Sequence, residues 1–478
     1  MNRLEKTPRR KRTAHPVRVL LIVGAIGAAP LAIGWYFGHN LATRTEGRTA
    51  SPVTVLNTPV MSVRRAPSTL VADIASRKLR AELDAVAARV PDSGCLRVDA
   101  GGRVVVAKSS SKPLVPASNA KIATASVALD VLPAETVFTT KVVGELADGT
   151  ITGDLALVGG GDPLLVSKEY LATEKYPTTS PTLLDELADG VKNAGVRAVT
   201  GSVVGDESLL DDSRYVPDWA ASIRGTEAGP LGALMVNDGV VVGESIKPDN
   251  PAVAAAREFT RLLVARGITI GGDAREAKNP VVVTDKTLVA SIDSAPVGKV
   301  VAEMLTNSDN NTAEILLRQI GLSRSLQPTT AGGLAVVAST LESWGIDNVT
   351  LKDGSGLSRG NRMTCASLVE LLERAPRKGA LRDGLAVGGR SGTLSEVFTD
   401  PSIAGRLVGK TGTLLNVKTL GAILPVGDND DVVMALFLNG AGWADQGNYR
   451  PLWEAMAKAA ATYPQAPAVA QVSVVGIG

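Results

Sequence analysis

The sequence predicts an α+β protein in which one domain, an antiparallel sheet flanked by helices, is split by inserted small β-rich domains. Helical and strand-like patterns occur together over residues 67–138 and again over residues 291–463. Between them, residues 139–290 consist mainly of short strand-like runs separated by glycine. The chain has 478 residues and is 45% hydrophobic, which is enough for two or three domains with large cores.

The first 66 residues are predicted to precede the folded body. Residues 1–18 form a basic tail with seven basic side chains and one acidic one, and residues 19–38 contain no charged side chain. A helix of 20 apolar residues is about 30 Å long, which matches the hydrocarbon core of a bilayer. We therefore expect a single-pass membrane anchor with an extracytoplasmic body. A cleaved signal peptide and a buried core helix are the alternatives. Residues 39–66 are predicted to be a linker.

The elements before the insertion have simple patterns. Apolar residues at helical spacing predict a helix over Leu70–Val90. Alternating residues around Gly101-Gly102 predict a β-hairpin over Cys95–Ala107. A run of small and apolar residues predicts a further helix over Lys121–Leu132, ending before a proline.

The inserted region is predicted to contain strands near Lys141–Glu145, Thr152–Val158 and Val199–Val204, interrupted by one helix over Ala252–Arg266. After it, helices are predicted at Val297–Leu305, Thr312–Ile320 and Ser367–Arg374. The second of these has Asn311 as its N-cap and Gly321 just beyond its end. Three successive antiparallel strands and a closing helix follow, at Leu407–Leu415, Thr419–Pro425, Val432–Asn439 and Tyr449–Tyr463, before a C-terminal tail over residues 464–478.

Histidine is confined to His15 and His39, near the start of the chain. The body therefore lacks the imidazole that Ser-His-Asp hydrolases, Cys-His proteases and the usual histidine zinc sites require. The absence also excludes an α/β-hydrolase interpretation of the G-x-S-x-G run at residues 356–360. Residues 19–478 carry a net charge of −4, which disfavours binding to nucleic acid. A hydrolase with this composition needs a lysine or a carboxylate as its base.

Three short motifs carry candidate chemistry. In Ser118-Asn119-Ala120-Lys121, a serine and a lysine three positions apart share one helix face, and a desolvated lysine can act as a base. Ser308-Asp309-Asn310 lies between two predicted helices, where an extended loop would turn Ser308 and Asn310 towards one cleft. Lys410-Thr411-Gly412-Thr413 lies on a predicted strand, where Gly412 would let another backbone approach. Each motif alone fits an ordinary cap, a polar loop or a solvated strand.

Taken in order, the three motifs resemble those of penicillin-binding proteins and serine β-lactamases. The 190 positions between Ser118 and Ser308 leave room for inserted domains, which resembles the low-molecular-mass class C penicillin-binding proteins, the D-alanyl-D-alanine carboxypeptidase/endopeptidase family. The chain looks like a membrane-anchored member of the actinobacterial type. Four further runs are similar to that family, at residues 159–163, 205–208, 353–359 and 392–394.

The resemblance implies a penicillin-binding-protein/serine β-lactamase-like transpeptidase domain and a serine DD-peptidase that cleaves peptidoglycan stem peptides without a metal or cofactor. Ser118 would be the nucleophile and Lys121 its base. Ser308 would pass a proton to the leaving amine, positioned by Asn310 and Lys410. Thr411 and Thr413, beside Gly412, would bind the terminal carboxylate. β-Lactam antibiotics would acylate the same serine. A β-lactamase and a non-catalytic wall-binding or sensor protein are the alternatives.

The resemblance also places Asp162 and Arg359 near the cleft. Together they would match the zwitterionic end of a meso-diaminopimelate side chain, with Arg359 binding the carboxylate and Asp162 the ammonium. The alternative is that Asp162 stabilises its own turn and Arg359 is a surface charge.

Cys95 and Cys365 are the only cysteines. They can form a disulfide in an extracytoplasmic protein or stay as buried free thiols, because sequence alone does not give the distance between their Cα atoms.

Overall fold

A computed structural model describes residues 66–174, 176–426 and 430–464 of the chain. The predicted basic tail, the apolar segment 19–38, nearly all of the linker and nearly all of the C-terminal tail lie outside these residues. Within the described part, none of the helices combines the length and the apolar character that a membrane span needs.

The described residues contain eleven α-helices and seventeen strands. The helices are α1 (Ala66–Arg89), α2 (Ala120–Val131), α3 (Lys168–Leu171), α4 (Leu184–Asn193), α5 (Pro251–Ala265), α6 (Val297–Asn307), α7 (Asn310–Ser325), α8 (Thr330–Ser343), α9 (Cys365–Arg374), α10 (Ala380–Asp383) and α11 (Gln446–Ala461). The strands are β1 (Gly94–Ala100), β2 (Arg103–Lys108), β3 (Thr139–Val143), β4 (Leu146–Ala147), β5 (Thr150–Ile151), β6 (Leu155–Val158), β7 (Leu165–Val166), β8 (Thr182–Leu183), β9 (Ala198–Val199), β10 (Val203–Asp206), β11 (Thr269–Ile270), β12 (Arg275–Glu276), β13 (Leu288–Asp293), β14 (Ala386–Val387), β15 (Val408–Leu414), β16 (Val417–Pro425) and β17 (Asp431–Asn439).

The main sheet has six antiparallel strands in the order β14-β15-β16-β17-β1-β2. Alternate residues of β17 pack into two different cores, because successive side chains of a strand point to opposite faces. Val433, Ala435 and Phe437 pack with α2, α6, α7, α8 and α9. Met434, Leu436 and Leu438 pack with α1 and α11 on the other face. The predicted fold class, an antiparallel sheet flanked by helices, is confirmed.

The predicted elements around this sheet form with small shifts at their ends. The hairpin β1–β2 turns at Gly101 and Gly102, whose φ angles of 56° and 70° suit glycine. The three late strands pair in sequence as β15, β16 and β17. The alternation of side chains along each strand is enough to predict these strands from the sequence, and the two glycines mark the turn of the hairpin.

The inserted region contains three smaller sheets. The largest has the strand order β12-β10-β6-β3-β13, and the other two have the orders β11-β9-β5-β4 and β7-β8. The helices α4 and α5 pack on these strands through Leu187, Val191 and Phe259. Strand β13 runs across the boundary predicted at residue 290 and pairs with β3, so the inserted sheet includes residues up to Asp293.

The observed local structure differs from the predictions in three places. The single strand over Val199–Val204 is two strands, β9 and β10, in different sheets. The inserted region has a second long helix, α4, whose buried residues follow a helical spacing that the sequence already contained. Helix α8 was missed because Gly332 and Gly333 disfavour a helix locally.

The start and interior of α7 also differ from prediction. Asp309, not Asn311, is the N-cap, because its side chain accepts a hydrogen bond from the Thr312 amide. Gly321 lies inside the helix instead of beyond its end. A Cβ at Gly321 would lie 2.7 Å from the Gly333 nitrogen, so both glycines let α7 and α8 pack closely. Tertiary packing therefore outweighs the usual role of glycine as a helix terminator.

Candidate active site

Ser118 lies in a short 3₁₀ turn, Ala117–Asn119, directly before α2. The turn is held against β16 by a buried pair of hydrogen bonds. The Asn119 side-chain amide donates to the Thr419 hydroxyl at 2.8 Å, and that hydroxyl donates to the Pro116 carbonyl at 2.7 Å. Ala117 has a φ of 48°, an uncommon conformation for alanine that packing maintains. The serine is thereby presented, partly exposed, on a rigid support.

Lys121 is completely buried one turn after Ser118. Its ammonium lies 3.4 Å from the Ser118 hydroxyl and donates to the Asn310 side-chain oxygen and the Ser355 carbonyl, both at 2.6 Å. Burial lowers the pKa of Lys121 to about 8, and the nearby carboxylate of Asp353 opposes that shift. A neutral amine is therefore accessible next to the serine at mildly alkaline pH.

Ser308 contacts Lys410 and Asn310 contacts Lys121, although not through the expected extended loop. Ser308 ends α6 in the left-handed conformation, with a φ of 65°, and its hydroxyl accepts from the Lys410 ammonium at 2.7 Å. Asn310 is the first residue of α7, and its amide nitrogen donates to the Glu227 carbonyl at 2.9 Å. Asp309 points away from them and caps the helix.

Lys410 lies on β15, whose pairing with β14 stops at Gly409. In the described residues no strand covers the edge of β15 beyond that point. The Lys410 ammonium also donates to the Thr411 carbonyl at 2.9 Å, and burial together with the charges of Lys121 and Lys418 lowers its pKa well below the usual value. Gly412 is required because a Cβ there would overlap the Thr419 hydroxyl and lie 2.8 Å from the Pro116 carbonyl oxygen. The strand thus lies directly against the nucleophile turn.

The two threonines of this strand make different contacts. The Thr411 hydroxyl donates to the Thr393 hydroxyl at 3.0 Å. Thr413 is exposed, and its hydroxyl oxygen accepts from the Lys418 ammonium at 2.8 Å. Both lie on the part of β15 that has an open edge, where an extended peptide could add as a further strand.

The loop that supports Lys121 carries no local sequence signal for a catalytic site. Glu314, on α7, is fully buried and accepts hydrogen bonds from the Gly354 and Ser355 amides at 3.0 and 2.8 Å. Burial and the charge of Asp353 raise the pKa of Glu314 to about 7. In the sequence, residues 353–359 are marked only by their similarity to the family, and nothing local marks Glu314 as part of the site. The described residues contain no group of three or more histidine, cysteine or acidic side chains arranged to hold a metal.

Asp162 and Arg359 do not form the expected pair. Asp162 is 3% exposed and accepts from the amide of Leu164 in its own turn, and burial raises its pKa to about 6. A carboxylate buried in this way is not available to a substrate ammonium, so the expectation of a charge pair is wrong for Asp162. Arg359 is exposed and donates to the Leu415 carbonyl, at 2.8 Å, next to the end of β15.

The chain is similar to known proteins both in sequence and in fold. A sequence model of the D-Ala-D-Ala carboxypeptidase 3 (S13) family matches residues 79–249 and 241–463. The D-alanyl-D-alanine carboxypeptidase of Actinomadura sp. (strain R39) is 28% identical over 484 residues, covering 82% of this chain and 87% of that protein. Carboxypeptidase DacB of Mycolicibacterium smegmatis is 29% identical over 444 residues, covering 88% and 91%. The crystal structure of penicillin binding protein 4 from Haemophilus influenzae shares the fold, with a TM-score of 0.64, 20% identity and coverage of 78% of this chain and 97% of that one.

Proposed function

Because the chain belongs to the D-Ala-D-Ala carboxypeptidase 3 (S13) family, we propose that this site hydrolyses the D-alanyl-D-alanine bond of peptidoglycan stem peptides through an acyl-enzyme on Ser118. The proposal rests on two hydrogen bonds, each of which joins a lysine to a motif that is distant from it in the sequence. Lys121 reaches Ser118 and Asn310, and Lys410 reaches Ser308. The site therefore pairs each candidate hydroxyl with a buried lysine.

Acylation begins with neutral Lys121. It accepts the proton of the Ser118 hydroxyl as the oxygen attacks the carbonyl carbon of the scissile bond. The backbone amides of Ser118 and Thr413 are the donors proposed for the oxyanion, and one such donor contributes about 3–4 kcal/mol in other hydrolases. The proton taken up by Lys121 is relayed to the leaving amine through Ser308, which gives one proton and receives one, so Lys121 is neutral again and Ser308 is unchanged. Lys410, which donates to Ser308, holds that hydroxyl in place during the transfer.

Deacylation returns the enzyme to its starting state. Water attacks the Ser118 ester and gives a proton to Lys121. Lys121 passes that proton to the Ser118 oxygen as the ester bond breaks, and the shortened stem peptide leaves with a new carboxylate. Thr411 and Thr413 bind the terminal carboxylate of the uncleaved substrate at the open edge of β15. A β-lactam presents a strained amide with a carboxylate nearby, so it acylates the same serine.

A fluorescent penicillin distinguishes this function from its two alternatives. Incubated with the full-length chain, it should form a persistent covalent adduct that the Ser118→Ala variant does not form. Rapid release of hydrolysed penicillin would instead indicate a β-lactamase. Complete absence of an adduct on the folded wild-type chain would indicate a wall-binding or sensor protein with the same fold.

Arg359 is retained as a substrate-binding residue in the proposal, without Asp162. An exposed guanidinium next to the end of β15 suits the side-chain carboxylate of a diaminopimelate peptide. Arg359→Ala should lower kcat/KM for that peptide by roughly 10- to 100-fold and leave acylation by a simple penicillin nearly unchanged. An equal loss of activity towards the diaminopimelate peptide and towards penicillin would show that Arg359 has a structural role.

The charge pattern of the first 38 residues supports an extracytoplasmic body with a membrane anchor as part of the same proposal. Protease added to intact spheroplasts should then digest residues 67–478. Full protection of these residues would contradict the orientation, and release of the body into the medium would indicate signal cleavage.

A further inference from the structure

Lys418 lies directly behind the exposed hydroxyl of Thr413. The two residues are cross-strand partners in the pairing of β15 with β16. The Lys418 ammonium donates to the Thr413 hydroxyl oxygen at 2.8 Å, although Lys418 itself is only 9% exposed. A nearly buried positive charge therefore stands one hydroxyl group away from the open edge of β15.

Two aromatic rings lie against this ammonium. It lies 4.3 Å from the centroid of the Tyr449 ring and 5.2 Å from that of Trp453, both on α11. Among the described residues the structure records no ion pair of Lys418 with an acidic side chain. Burial and the nearby charge of Arg450 lower its pKa to about 8. Burying a cation without an anion costs free energy, although the ring faces offset part of that cost.

The hydrogen bond from Lys418 fixes the polarity of the Thr413 hydroxyl. An ammonium can only donate, so it occupies a lone pair of the threonine oxygen. The hydroxyl proton is then free to point away from Lys418, towards the open edge of the strand. Thr411 differs, because its hydroxyl donates to Thr393. Thr413 is thus arranged as a donor for an anion, with a positive charge behind it.

We propose that Lys418 is a positioning residue that gives the enzyme its selectivity for substrates ending in a free carboxylate, acting through the Thr413 hydroxyl. The inference rests on the proposed function, since it requires a stem peptide bound along β15 with its terminal carboxylate at Thr413. It assigns to β16 a part in recognition that the three sequence motifs do not include.

The test compares two peptides that differ only at their ends, an acyl-D-Ala-D-Ala peptide with a free carboxylate and the same peptide as a C-terminal amide. In Lys418→Met the ratio of kcat/KM for the acid to that for the amide should fall about tenfold, because a donor and its charge are lost. Lys418→Arg, which keeps the charge, should retain most of the ratio. Lys108→Met is the matched control. Lys108 lies on β2, at the opposite edge of the same sheet, and donates to the Ala87 and Val90 carbonyls.

A double-mutant cycle with Thr413→Val tests whether Lys418 acts through the Thr413 hydroxyl. If Lys418 acts through Thr413, Lys418→Met should not change the ratio further in the Thr413→Val background. An equal loss on both peptides, or an unchanged ratio in a folded Lys418→Met, overturns the proposal. If thermal melting shows that the Lys418→Met variant is not folded, the Lys418→Gln variant is tested in its place and judged by the same criteria. Failure of the wild-type chain to cleave either peptide or to bind penicillin would contradict the proposed function instead.

Discussion

Two lysines are buried within one site, and their surroundings differ. Carboxylates of Asp353, Asp309 and Glu314 oppose the effect of burial on Lys121. Lys410 has instead the positive charges of Lys121 and Lys418 near it, which add to the effect of burial. Lys121 contacts the Ser118 hydroxyl, whereas the recorded contacts of the Lys410 ammonium are with Ser308 and Thr411. Acid–base exchange with the nucleophile is therefore assigned to Lys121, and Lys410 acts on Ser308.

Replacement of Lys121 should abolish acylation. Lys121→Ala removes the base, and Lys121→Arg keeps a charge that is not lost at working pH. We expect the rate of penicillin acylation to fall at least about 1000-fold in both, in line with the size of general-base and nucleophile-activation effects. The measurement is adduct formation with fluorescent penicillin, with Lys108→Ala as a control that should stay fully reactive. Normal labelling of Lys121→Ala would remove Lys121 from the mechanism.

Acylation should depend on pH in a direction set by Lys121. Burial lowers its pKa from 10.5 to about 8, so the neutral, reactive fraction increases as pH rises, reaches one half near pH 8 and becomes nearly constant about one pH unit higher. The second-order rate constant for a penicillin should follow the same curve between about pH 6 and pH 10. A rate that is flat across this range, or that still rises steeply near pH 10, would show that another group is the base.

At the scale of elements, the start of α7 and the loop at residues 353–359 act together. Helix α7 contributes Asn310 to Lys121 directly, and Glu314, one turn further along, holds the amides of Gly354 and Ser355. The Ser355 carbonyl then accepts from Lys121. One helix thus fixes two of the oxygens that surround the base.

The same loop supports the nucleophile turn through Gly356. This glycine has a φ of 91°, and a Cβ there would overlap the Ala117 carbonyl oxygen and lie 2.9 Å from the Ser118 nitrogen. Gly356→Ala should therefore destabilise the fold by about 1–3 kcal/mol and slow acylation more than the stability loss explains. Thermal melting and penicillin labelling measure the two effects.

Gly447→Ala is the control for this substitution. Gly447 lies within the first turn of α11, and a Cβ there would meet no atom within 4 Å outside its own helix turn. Alanine at this position should therefore be neutral or slightly stabilising. Equal behaviour of the two variants would contradict the supporting role of Gly356.

At the scale of the whole molecule, one covalent bond joins distant parts of the chain. Cys95 on β1 and Cys365 at the start of α9 form a disulfide across 270 positions. This settles the alternative that the sequence left open. The closed loop includes the complete inserted region, so the bond restricts the unfolded chain more than the folded one.

Loss of the disulfide should lower stability without removing the site. Cys95→Ala/Cys365→Ala should reduce the free energy of unfolding by about 2–5 kcal/mol, while penicillin still labels Ser118 at low temperature, because neither cysteine belongs to the three motifs. The melting temperature of the wild-type chain should fall on addition of a reductant, and that of the double variant should not. Equal melting of the two proteins under oxidising conditions would contradict a stabilising role.

The amino-acid sequence by itself determined the elements and motifs whose physics is local. The hairpin at Gly101-Gly102, the late strands and the spacing of Ser118 from Lys121 depend on backbone periodicity and on neighbours three positions apart. The order of the three motifs and the missing histidines also indicated which chemistry the site can perform.

Only the tertiary structure decided what surrounds each group. The contacts of Lys121 with Asn310 and of Lys410 with Ser308 join residues 189 and 102 positions apart. Burial of Asp162, pairing of the cysteines and the place of Lys418 behind Thr413 likewise follow from packing. Desolvation and charge depend on every element that closes around a side chain, and a sequence pattern of a few residues does not contain those elements.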